Sequence, residues 1–399
     1  MANGISSSRT AYMSILLFGI VSLVGDLIYE GARGLVPDYL YFLGASAIIV
    51  GLIGGLGEFL GYGVRLISGY LADSSRAYWL FIFIGYGLIV SIPLLGFVGI
   101  WQIAIVFVLL ERLGKAIRAP SRDTVLSIVS KGVGPGKAFG LHELLDQIGA
   151  VVGPLIVAAI MFSSGNNYQL TFSILLLPFL VLVMALIYNY RKTGPITIPP
   201  KTPGEKVTLQ KPFYIYTLAV ILNTIGLIPV ILILYIAASI LPPEQAWVVP
   251  LVYVLIQGVD AAVALIAGYT YDKYGVRVLT VAFILSIFPP LFVFIGGGLS
   301  TILIASVFFG VVLGMQESIY RAAVTQFTPI SSRGTAYGIF NTGLGVGFLI
   351  SGGIFGLLLQ YNIDFTVTIL FVVLVQVIAT IILLRTQQAV KRNPIEKSE

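Results

Sequence analysis

The stretch ERLGKAIRAPSRD concentrates charge directly after the apolar run IAIVFVLL. Its residues Glu111, Lys115, Arg118 and Arg122 follow at intervals of 4, 3 and 4 residues, so on a helix they form one stripe. Arg112 lies about 100° round the helix from Glu111. A carboxylate among cations in apolar surroundings can exchange a proton, because burial and neighbouring charges set its proton affinity. We therefore expect Glu111 and Arg112 to take part in ion coupling.

A second group of acids lies nearer the N-terminus. Asp26 and Glu30 are four residues apart and share one helix face, and Arg33 follows three residues later. Close carboxylates raise each other's proton affinity, and burial acts in the same direction. We predict that protons bind Asp26, Glu30 and the nearby Glu58, with Arg112 setting the affinity. The alternative for Glu30 is a structural salt bridge with Arg33.

Two further pairs have two interpretations each. Glu58 and Arg65 lie seven residues apart on one helix face and form either a static interhelical pair or part of the transport site. His142 and Asp146, with Glu143, combine an imidazole with carboxylates that can hold a divalent metal. The alternative for His142 is a hydrogen-bond network with the charged stretch. We favour the alternative and assign no metal site.

The second half of the chain has fewer charged residues inside its apolar stretches. Asp260, with Gln257 one turn earlier, can recognise a cationic substrate, or it can accept a buried hydrogen bond from Asn223 or Gln316. This asymmetry indicates that ion coupling belongs to the first half. We assign substrate binding to Arg33, Arg65, Gln257, Asp260, Gln316 and Asn341.

Long apolar helices must position these groups. Of 399 residues, 58% are hydrophobic and 10% charged, with a mean hydropathy of +1.00, whereas soluble domains are about half apolar and about a quarter charged. The apolar stretches are continuous, as in spanning helices, and do not alternate as barrel strands do. We predict an all-α membrane protein with twelve transmembrane helices, near residues 12–36, 47–72, 77–98, 101–126, 136–162, 168–190, 212–240, 246–271, 276–297, 300–326, 333–360 and 364–386.

The net charge of +6 reflects membrane topology. Lys and Arg fall in alternate loops and in the C-terminal tail, whereas the opposite loops have none, which predicts that both termini face the cytoplasm. The charge therefore implies no nucleic-acid partner. The absence of Cys, the single His and the absence of a GxxxxGK[ST] loop argue against thiol chemistry, a soft-metal site and ATP drive. We expect no catalytic residues and no cofactor.

The chain divides into two similar halves. The polar stretch YRKTGPITIPPKTPGEKVTLQK predicts a linker at residues 191–211 between bundles at 1–190 and 212–399. GYLAD, which ends at Asp73, matches GYTYD, which ends at Asp272 (272 − 73 = 199). AFGLH from Ala138 matches AYGIF from Ala336 (336 − 138 = 198), and Arg122 matches Arg321. The nearly constant offset indicates an internal duplication with two six-helix repeats.

These motifs resemble the major facilitator superfamily of secondary transporters. GYTYDKYGVR is similar to that superfamily's signature at the cytoplasmic end of a span, and Arg112 resembles the Arg of its fourth-span signature, which the family links to proton transfer. The resemblance implies an alternating-access transporter with a substrate cavity near the bilayer midplane, between the two halves. It also implies a cytoplasmic gate, which we assign to Asp73, Arg118, Arg122, Asp272 and Arg321. For Lys115, Arg118, Arg122 and Asp123 we favour the interpretation that they extend to the cytoplasmic surface and hold the gate through ion pairs with Asp73, over a part in a proton relay.

Within the superfamily, RLGKAIRAPSRD and GKAFGLHELLDQIGAVVGPL resemble prokaryotic exporters related to nickel- and drug-resistance proteins. Gly149, Gly153 and Pro154 partly match the GxxxGP signature of proton antiporters. We predict a monomeric antiporter of the prokaryotic cell membrane that exports a small lipophilic or cationic compound in exchange for protons. Export of a divalent metal, uptake of an organic anion attracted by Arg33, Arg65 and Arg112, and a non-transporting receptor are the alternatives.

Overall fold

The computed structural model describes residues 8–130, 134–194, 209–328 and 333–392, and within these ranges it is helical with no strand. Residues 195–208, the greater part of the predicted linker, lie outside the described ranges, as do Lys131 and the last seven residues.

The described residues of the first half form seven helices of seven or more residues, besides the four-residue helix Ser91–Leu94. They are α1 (Ser8–Phe42), α2 (Ala47–Ser75), α3 (Tyr78–Gly87), α4 (Trp101–Val129), α5 (Pro135–Ser163), α6 (Tyr168–Ile174) and α7 (Leu176–Thr193). Short helical turns carry α3 on as far as Phe97. The charged stretch lies inside α4, which continues through it for the full 29 residues.

The second half is more often interrupted. Its helices are α8 (Lys211–Ile225), α9 (Val230–Ile240), α10 (Val248–Tyr274), α11 (Val278–Leu285), α12 (Phe288–Phe294), α13 (Leu299–Met315), α14 (Arg321–Val324), α15 (Arg333–Gln360) and α16 (Phe365–Arg392). The predicted span 212–240 is broken before α9 at Pro229, which has no backbone N–H to donate. A five-residue π-helix, Gln316–Tyr320, joins α13 to α14.

Ten helical stretches within the described ranges are long and apolar enough to cross a membrane. One of the ten, Val248–Phe294, is 47 residues long and contains α10 to α12, with a turn at Gly275, whose φ is +64°. Helix α4 has spanning length but contains Glu111, Arg112, Lys115, Arg118, Arg122 and Asp123. The charged residues that make α4 a candidate site are therefore also the reason why α4 is not among the ten apolar stretches.

The described residues form two compact units. The first contains the described residues of Met1–Leu43, Val64–Pro200 and Pro243–Val254, and the second those of Gly44–Gly63, Lys201–Pro242 and Leu255–Glu399. Most of the charged candidates, including Asp26, Glu30 and the whole of α4, belong to the first unit. The start of α10, including Tyr253, also belongs to it.

Two glycines of α5 bring α1 and α5 close together in the first unit. A Cβ atom at Gly149 would lie 2.5 Å from the Leu23 carbonyl oxygen and 2.8 Å from the Asp26 Cβ. At Gly153 it would lie 2.5 Å from the Leu27 carbonyl oxygen. Small residues four positions apart allow such close backbone approach between membrane helices. The same crossing places Asp26 against α5.

The second unit repeats this crossing between α8 and α15. A Cβ atom at Gly347 would lie 3.0 Å from the Thr224 Cβ and 3.2 Å from the Ile221 carbonyl oxygen. Gly347 stands 198 residues after Gly149, and Thr224 stands 198 residues after Asp26 (347 − 149 = 224 − 26 = 198). The offset found in the sequence motifs thus recurs in the contacts of the two units. At this crossing Thr224 occupies the position equivalent to Asp26.

A neutral hydrogen-bond network lies in the core of the second unit. The Asn223 amide donates to Ser286 at 3.1 Å and to Gln376 at 2.8 Å, and its oxygen accepts from the Tyr320 hydroxyl at 2.9 Å. The Gln376 side-chain amide donates to the backbone carbonyl oxygen of Asn223 at 2.9 Å. All four side chains are buried. These uncharged side chains join α8 to three other helical segments.

We expect Asn223→Leu to lower the free energy of unfolding by about 2–4 kcal/mol, because each hydrogen bond lost in a membrane-protein core costs about 1 kcal/mol. Thermal unfolding of the purified protein in detergent measures the effect. Leu218→Ala is the control on the same helix, since Leu218 is exposed and we expect little change. Equal stability of Asn223→Leu and the wild type would contradict a structural role for the network.

Candidate functional site

The candidate site of the first unit is centred on Asp26 in α1. Asp26 is 7% exposed and lies where α1 crosses α5 at Gly149. The charged groups that act on its carboxylate are Asp146 of α5, Lys115 of α4 and Glu30 of its own helix, and the Tyr29 hydroxyl interacts with it. The site therefore contains a buried carboxylate with charges of both signs beside it, as a proton-binding acid requires.

Glu30, one turn from Asp26, is a convergence point for cations. Its carboxylate lies 3.1 Å from Arg33 and 3.6 Å from the Lys115 ammonium. The Tyr253 hydroxyl donates a hydrogen bond to it at 2.5 Å. The predicted alternative, a Glu30–Arg33 salt bridge, is thus present. Because Lys115 and Tyr253 share the same carboxylate, the pair is part of a larger ionic group.

Arg118 is buried in the core of the first unit, so the interpretation that it reaches the cytoplasmic surface was wrong. It is 2% exposed, and its guanidinium lies 3.7 Å from Glu111 and donates to the Gly85 carbonyl oxygen at 3.2 Å. It also lies over the rings of Tyr29 and Tyr86, at 5.1 and 5.0 Å from their centroids. These contacts compensate the free-energy cost of removing the guanidinium charge from water. A position at the surface would not carry this cost.

Glu111 and Arg112 are neighbours in space as well as in sequence. The Arg112 Nε lies 3.7 Å from the Glu111 carboxylate, which therefore interacts with both Arg112 and Arg118. Lys115 lies over the Tyr29 ring, 4.6 Å from its centroid. We call Glu30, Arg33, Glu111, Arg112, Lys115 and Arg118 the basic cluster.

A second ionic group joins the C-terminal part of α4 to the N-terminal part of α5. Arg122 interacts with Asp123 at 2.9 Å and with Asp146 at 3.9 Å, and it donates to the Ser22 hydroxyl at 3.2 Å. The His142 Nε2 lies 3.7 Å from Asp146. No group of three or more metal-ligating side chains occurs among the residues that the structure describes. Neither ring nitrogen of His142 has a hydrogen-bond partner among the described residues, so the predicted alternative to a metal, a hydrogen-bond network between His142 and the charged stretch, is not present; Asp146 is the residue of this group that contacts the charged stretch, through Arg122.

Most members of the ionic groups have no charged counterpart among the described residues of the second unit. At offsets of 198 or 199 residues, Arg118 and Arg122 correspond to the charged Glu317 and Arg321, but the sequence replaces seven other acids and bases by neutral or apolar residues. Glu30, Arg33, Glu111, Arg112, Lys115, His142 and Asp146 correspond to Ile228, Ile231, Gly310, Val311, Gly314, Phe340 and Leu344. The repeated helices therefore pack without these charges, which points to a functional role for them.

The substrate candidates of the second half lie in the second unit. Gln257, Asp260 and Gln316 are buried, with Asp260 1% exposed. The hydrogen bond that we considered between Asp260 and Asn223 is absent from the Asn223 network, whose side-chain partners are Ser286, Gln376 and Tyr320. Neither amide atom of Gln316 has a hydrogen-bond partner. Asn341 is partly buried on α15.

The predicted gate residues have varied surroundings. Asp73 accepts a hydrogen bond from the Tyr78 hydroxyl at 3.0 Å, whereas Arg118 and Arg122 pair with Glu111, Asp123 and Asp146 as described above. Arg321 lies over the Tyr62 ring at 5.7 Å, and Asp272 is exposed. Glu58 and Arg65 both take part in polar interactions. A gating role for these residues stays a prediction.

Tyr253 and Tyr29 are the site residues that sequence reasoning did not assign. Tyr253 contacts Glu30 although 223 residues separate them in the chain, so no spacing rule connects the two. Tyr29 follows Asp26 by three residues and shares its face of α1, a signal that helical periodicity does contain. Aromatic residues are abundant in this chain, with 24 Phe and 21 Tyr, and abundance obscures such a signal.

The sequence is similar to known proteins along almost its whole length. An uncharacterised protein of Mycobacterium tuberculosis is 34% identical over 94% of this chain and 93% of its own. An uncharacterised MFS-type transporter of Methanocaldococcus jannaschii is 26% identical over 90% of this chain and 92% of its own. The family model of the Major Facilitator Superfamily matches residues 213–399.

Solved structures of transporters have a similar fold. A mutant of the nucleoside transporter NupG superimposes with a TM-score of 0.73 at 13% identity, over 94% of this chain and 99% of that chain. A mutant of the peptide transporter POT, in complex with sulfate, gives a TM-score of 0.70 at 15% identity, over 95% and 94%. At these identities the likeness concerns the fold alone.

Proposed function

We propose that the chain is a multi-pass membrane transporter of the Major Facilitator Superfamily that couples substrate movement to protons through Asp26; the family model over residues 213–399 and the MFS-type relative support the family assignment. The observation that carries this proposal is the buried carboxylate of Asp26 at a crossing where the second repeat has Thr224. A carboxylate that packing does not require, in a place where its charge is costly, is a functional candidate.

The surroundings of Asp26 favour reversible protonation. Glu30 and Asp146 place negative charge near the Asp26 carboxylate, and Lys115 places positive charge near it. Arg112 acts on this balance indirectly, since it pairs with Glu111 beside Arg118. In this proposal Asp26 is the proton-binding group, and Glu30, Glu111 and Arg112 set its affinity.

The substrate class has two candidates. Export of a lipophilic or cationic compound by proton antiport, our prediction from the sequence, depends on Asp260 as the recognition group. Asp260 is 1% exposed and already takes part in a polar interaction. Uptake of an organic anion is favoured by a different observation, the partly exposed Arg33, Arg112 and Lys115 side chains. Divalent metal export has no cluster of ligands to support it among the described residues.

We further propose that the transporter lies in the prokaryotic cell membrane with both termini in the cytoplasm. The alternation of basic and neutral loops supports this orientation. A monomer suffices for the proposed function, because the proton-binding group and the residues that set its affinity all belong to one chain.

Flux measurements on proteoliposomes test the proposal. We expect a pH gradient to drive substrate across the membrane when organic cations, organic anions and divalent metals are screened at a clamped membrane potential. Protein-free liposomes are the control. Substrate that stabilises the purified protein but does not cross the membrane would indicate a receptor, and flux that ignores the pH gradient would indicate a facilitator.

A further inference from the structure

His142 is a buried histidine with both ring nitrogens available for proton transfer. Its side chain is 3% exposed, and neither nitrogen has a hydrogen-bond partner among the described residues. The Nε2 atom lies 3.7 Å from the carboxylate of Asp146, one turn further along α5. A neutral imidazole has one nitrogen that donates and one that accepts a hydrogen bond, and burying both without partners is costly. A side chain in this situation is a candidate for proton transfer.

The Asp146 carboxylate is only weakly paired. The Arg122 guanidinium lies 2.9 Å from Asp123 but 3.9 Å from the Asp146 Oδ2, so Asp123 is its main partner. The Asp146 Oδ1 is buried and has no hydrogen-bond partner within the part of the chain that the structure describes. A buried carboxylate oxygen without a donor has lost its hydration and received nothing in return. Oδ1 is therefore an atom at which a proton can bind.

Asp146 lies between His142 and Asp26. It is one of the charged groups that act on the Asp26 carboxylate. From the N-terminal end of α5 the order is His142, Asp146 and then Gly149, where a Cβ atom would lie 2.8 Å from the Asp26 Cβ. At 1.5 Å per residue, each step along α5 covers about 4 to 6 Å. The three ionisable groups therefore form a line from the crossing toward the start of α5.

The other end of this line reaches water at Asp123. The Asp123 side chain is 48% exposed, and that of Asp146 is 18% exposed. A charge that faces hydrocarbon is costly, so the exposed Asp123 faces aqueous space. Asp123 and Arg122 of α4 are the charged groups that act on the His142 imidazole. His142 and Asp146 thus connect an exposed acid with the buried Asp26.

Packing of the repeated helix does not require these two polar groups. His142 and Asp146 correspond to Phe340 and Leu344, 198 residues later. Both belong to the hydrophobic core of the second unit, where they are 1% and 3% exposed. The same positions of the repeat are therefore filled by apolar side chains. A buried imidazole and a carboxylate in their place point to a function.

We propose that protons travel between Asp26 and the aqueous phase through Asp146 and His142. The inference rests on the proposed function, because Asp26 is its proton-binding group, and it adds the residues that carry the proton. We call Asp146 and His142 the proton route. The route opens at the N-terminal end of α5, which the distribution of basic residues predicts to be cytoplasmic.

Each step of the proton route moves one proton between two atoms. Protonated Asp146 gives its proton to the ionised Asp26 carboxylate, so that one O–H bond breaks and another forms. The neutral His142 imidazole then gives its N–H proton to Asp146 and takes a proton from hydronium at its other nitrogen. A turn of the ring restores the first tautomer, and release from Asp26 follows the reverse sequence. One water molecule can bridge the 3.7 Å between the His142 Nε2 and the Asp146 carboxylate.

Time-resolved infrared spectroscopy of the purified full-length protein after a pH jump tests the proton route, with the proton itself as the probe. The C=O stretch of protonated Asp26 is identified by its absence from Asp26→Asn. We expect His142→Gln and Asp146→Asn to slow the rise of this band roughly 100-fold, the scale on which loss of a proton-transfer group acts. The final amplitude should stay unchanged, because the route alters the rate and not the binding group.

Two controls separate proton transfer from a structural effect. Glu143→Gln removes an exposed acid next to His142 and should keep the wild-type rate. Added imidazole should restore part of the rate of His142→Gln, since a diffusing imidazole replaces the missing side chain. A slow band that imidazole does not accelerate, together with a lower unfolding temperature, would assign His142 a packing role and overturn the route.

The outcomes also separate the proton route from the proton site. Equal rates in the wild type, His142→Gln and Asp146→Asn would overturn the route and leave Asp26 as the proton-binding group. A spectrum in which no carboxyl band depends on Asp26 would overturn the proton site itself, and the route with it.

Discussion

Asp26→Thr should abolish proton-driven substrate accumulation while the protein still folds and still exchanges substrate. Thr224 occupies the equivalent position in the second repeat, 198 residues later, and packs against Gly347 as Asp26 packs against Gly149. Threonine therefore fits such a crossing, but it cannot take up or release a proton near neutral pH. We expect the initial rate of proton-driven uptake to fall about 100-fold or more, the scale on which loss of a proton-transfer group acts on a rate.

Counterflow in proteoliposomes without a pH gradient is the matching measurement, because substrate exchange needs no net proton transfer. Asp26→Thr and Asp26→Asn should both retain counterflow, and their unfolding temperatures should stay near that of the wild type. Accumulation at the wild-type level in both variants would contradict Asp26 as the proton site. Loss of counterflow together with a lower unfolding temperature would instead assign Asp26 a structural role.

Gly149→Val and Gly153→Val should prevent stable folding of the first unit. A Cβ atom at either position would lie 2.5 Å from a carbonyl oxygen of α1, at Leu23 or Leu27, and backbone atoms cannot move aside as a flexible side chain can. Overpacking in a close-packed core costs typically about 1–3 kcal/mol, and a forced separation of two helices costs more. We expect a loss of about 3 kcal/mol or more, seen as a lower unfolding temperature and a lower yield of monodisperse protein.

Gly140→Val is the matched control on the same helix, because nothing lies within 4 Å of a Cβ atom at Gly140. It should leave the free energy of unfolding within about 0.5 kcal/mol of the wild-type value. Gly347→Val should have an intermediate effect, since its nearest contacts are 3.0 and 3.2 Å away. Similar behaviour of Gly149→Val and Gly140→Val would contradict the close crossing of α1 and α5.

Much of the fold was accessible from sequence, because membrane spans depend on simple physics. A continuous apolar stretch of about 20 residues has few structures open to it other than a helix. The span at 333–360 coincides with α15, and the all-helical prediction is confirmed by the structure and by its transporter neighbours. The breaks at Pro229 and at the π-helix near Gln316 were missed, since hydropathy does not register a lost backbone hydrogen bond within an apolar run.

The candidate site could be predicted only in part from the sequence. Helical spacing paired Glu30 with Arg33 and His142 with Asp146, and both contacts are present. Spacing within one helix cannot reveal that Tyr253 reaches Glu30. It also led us to place Arg118 at the surface, because distance from a helix end does not report the aromatic rings that surround a charge.

Substrate-induced proton movement tests the central claim most directly. Proteoliposomes that contain the purified protein and an internal pH dye receive a transported substrate, with no imposed pH gradient and with the membrane potential clamped. We predict a change of internal pH that follows the substrate in time and is absent with Asp26→Thr. Substrate entry at the wild-type rate without any change of internal pH would contradict proton coupling.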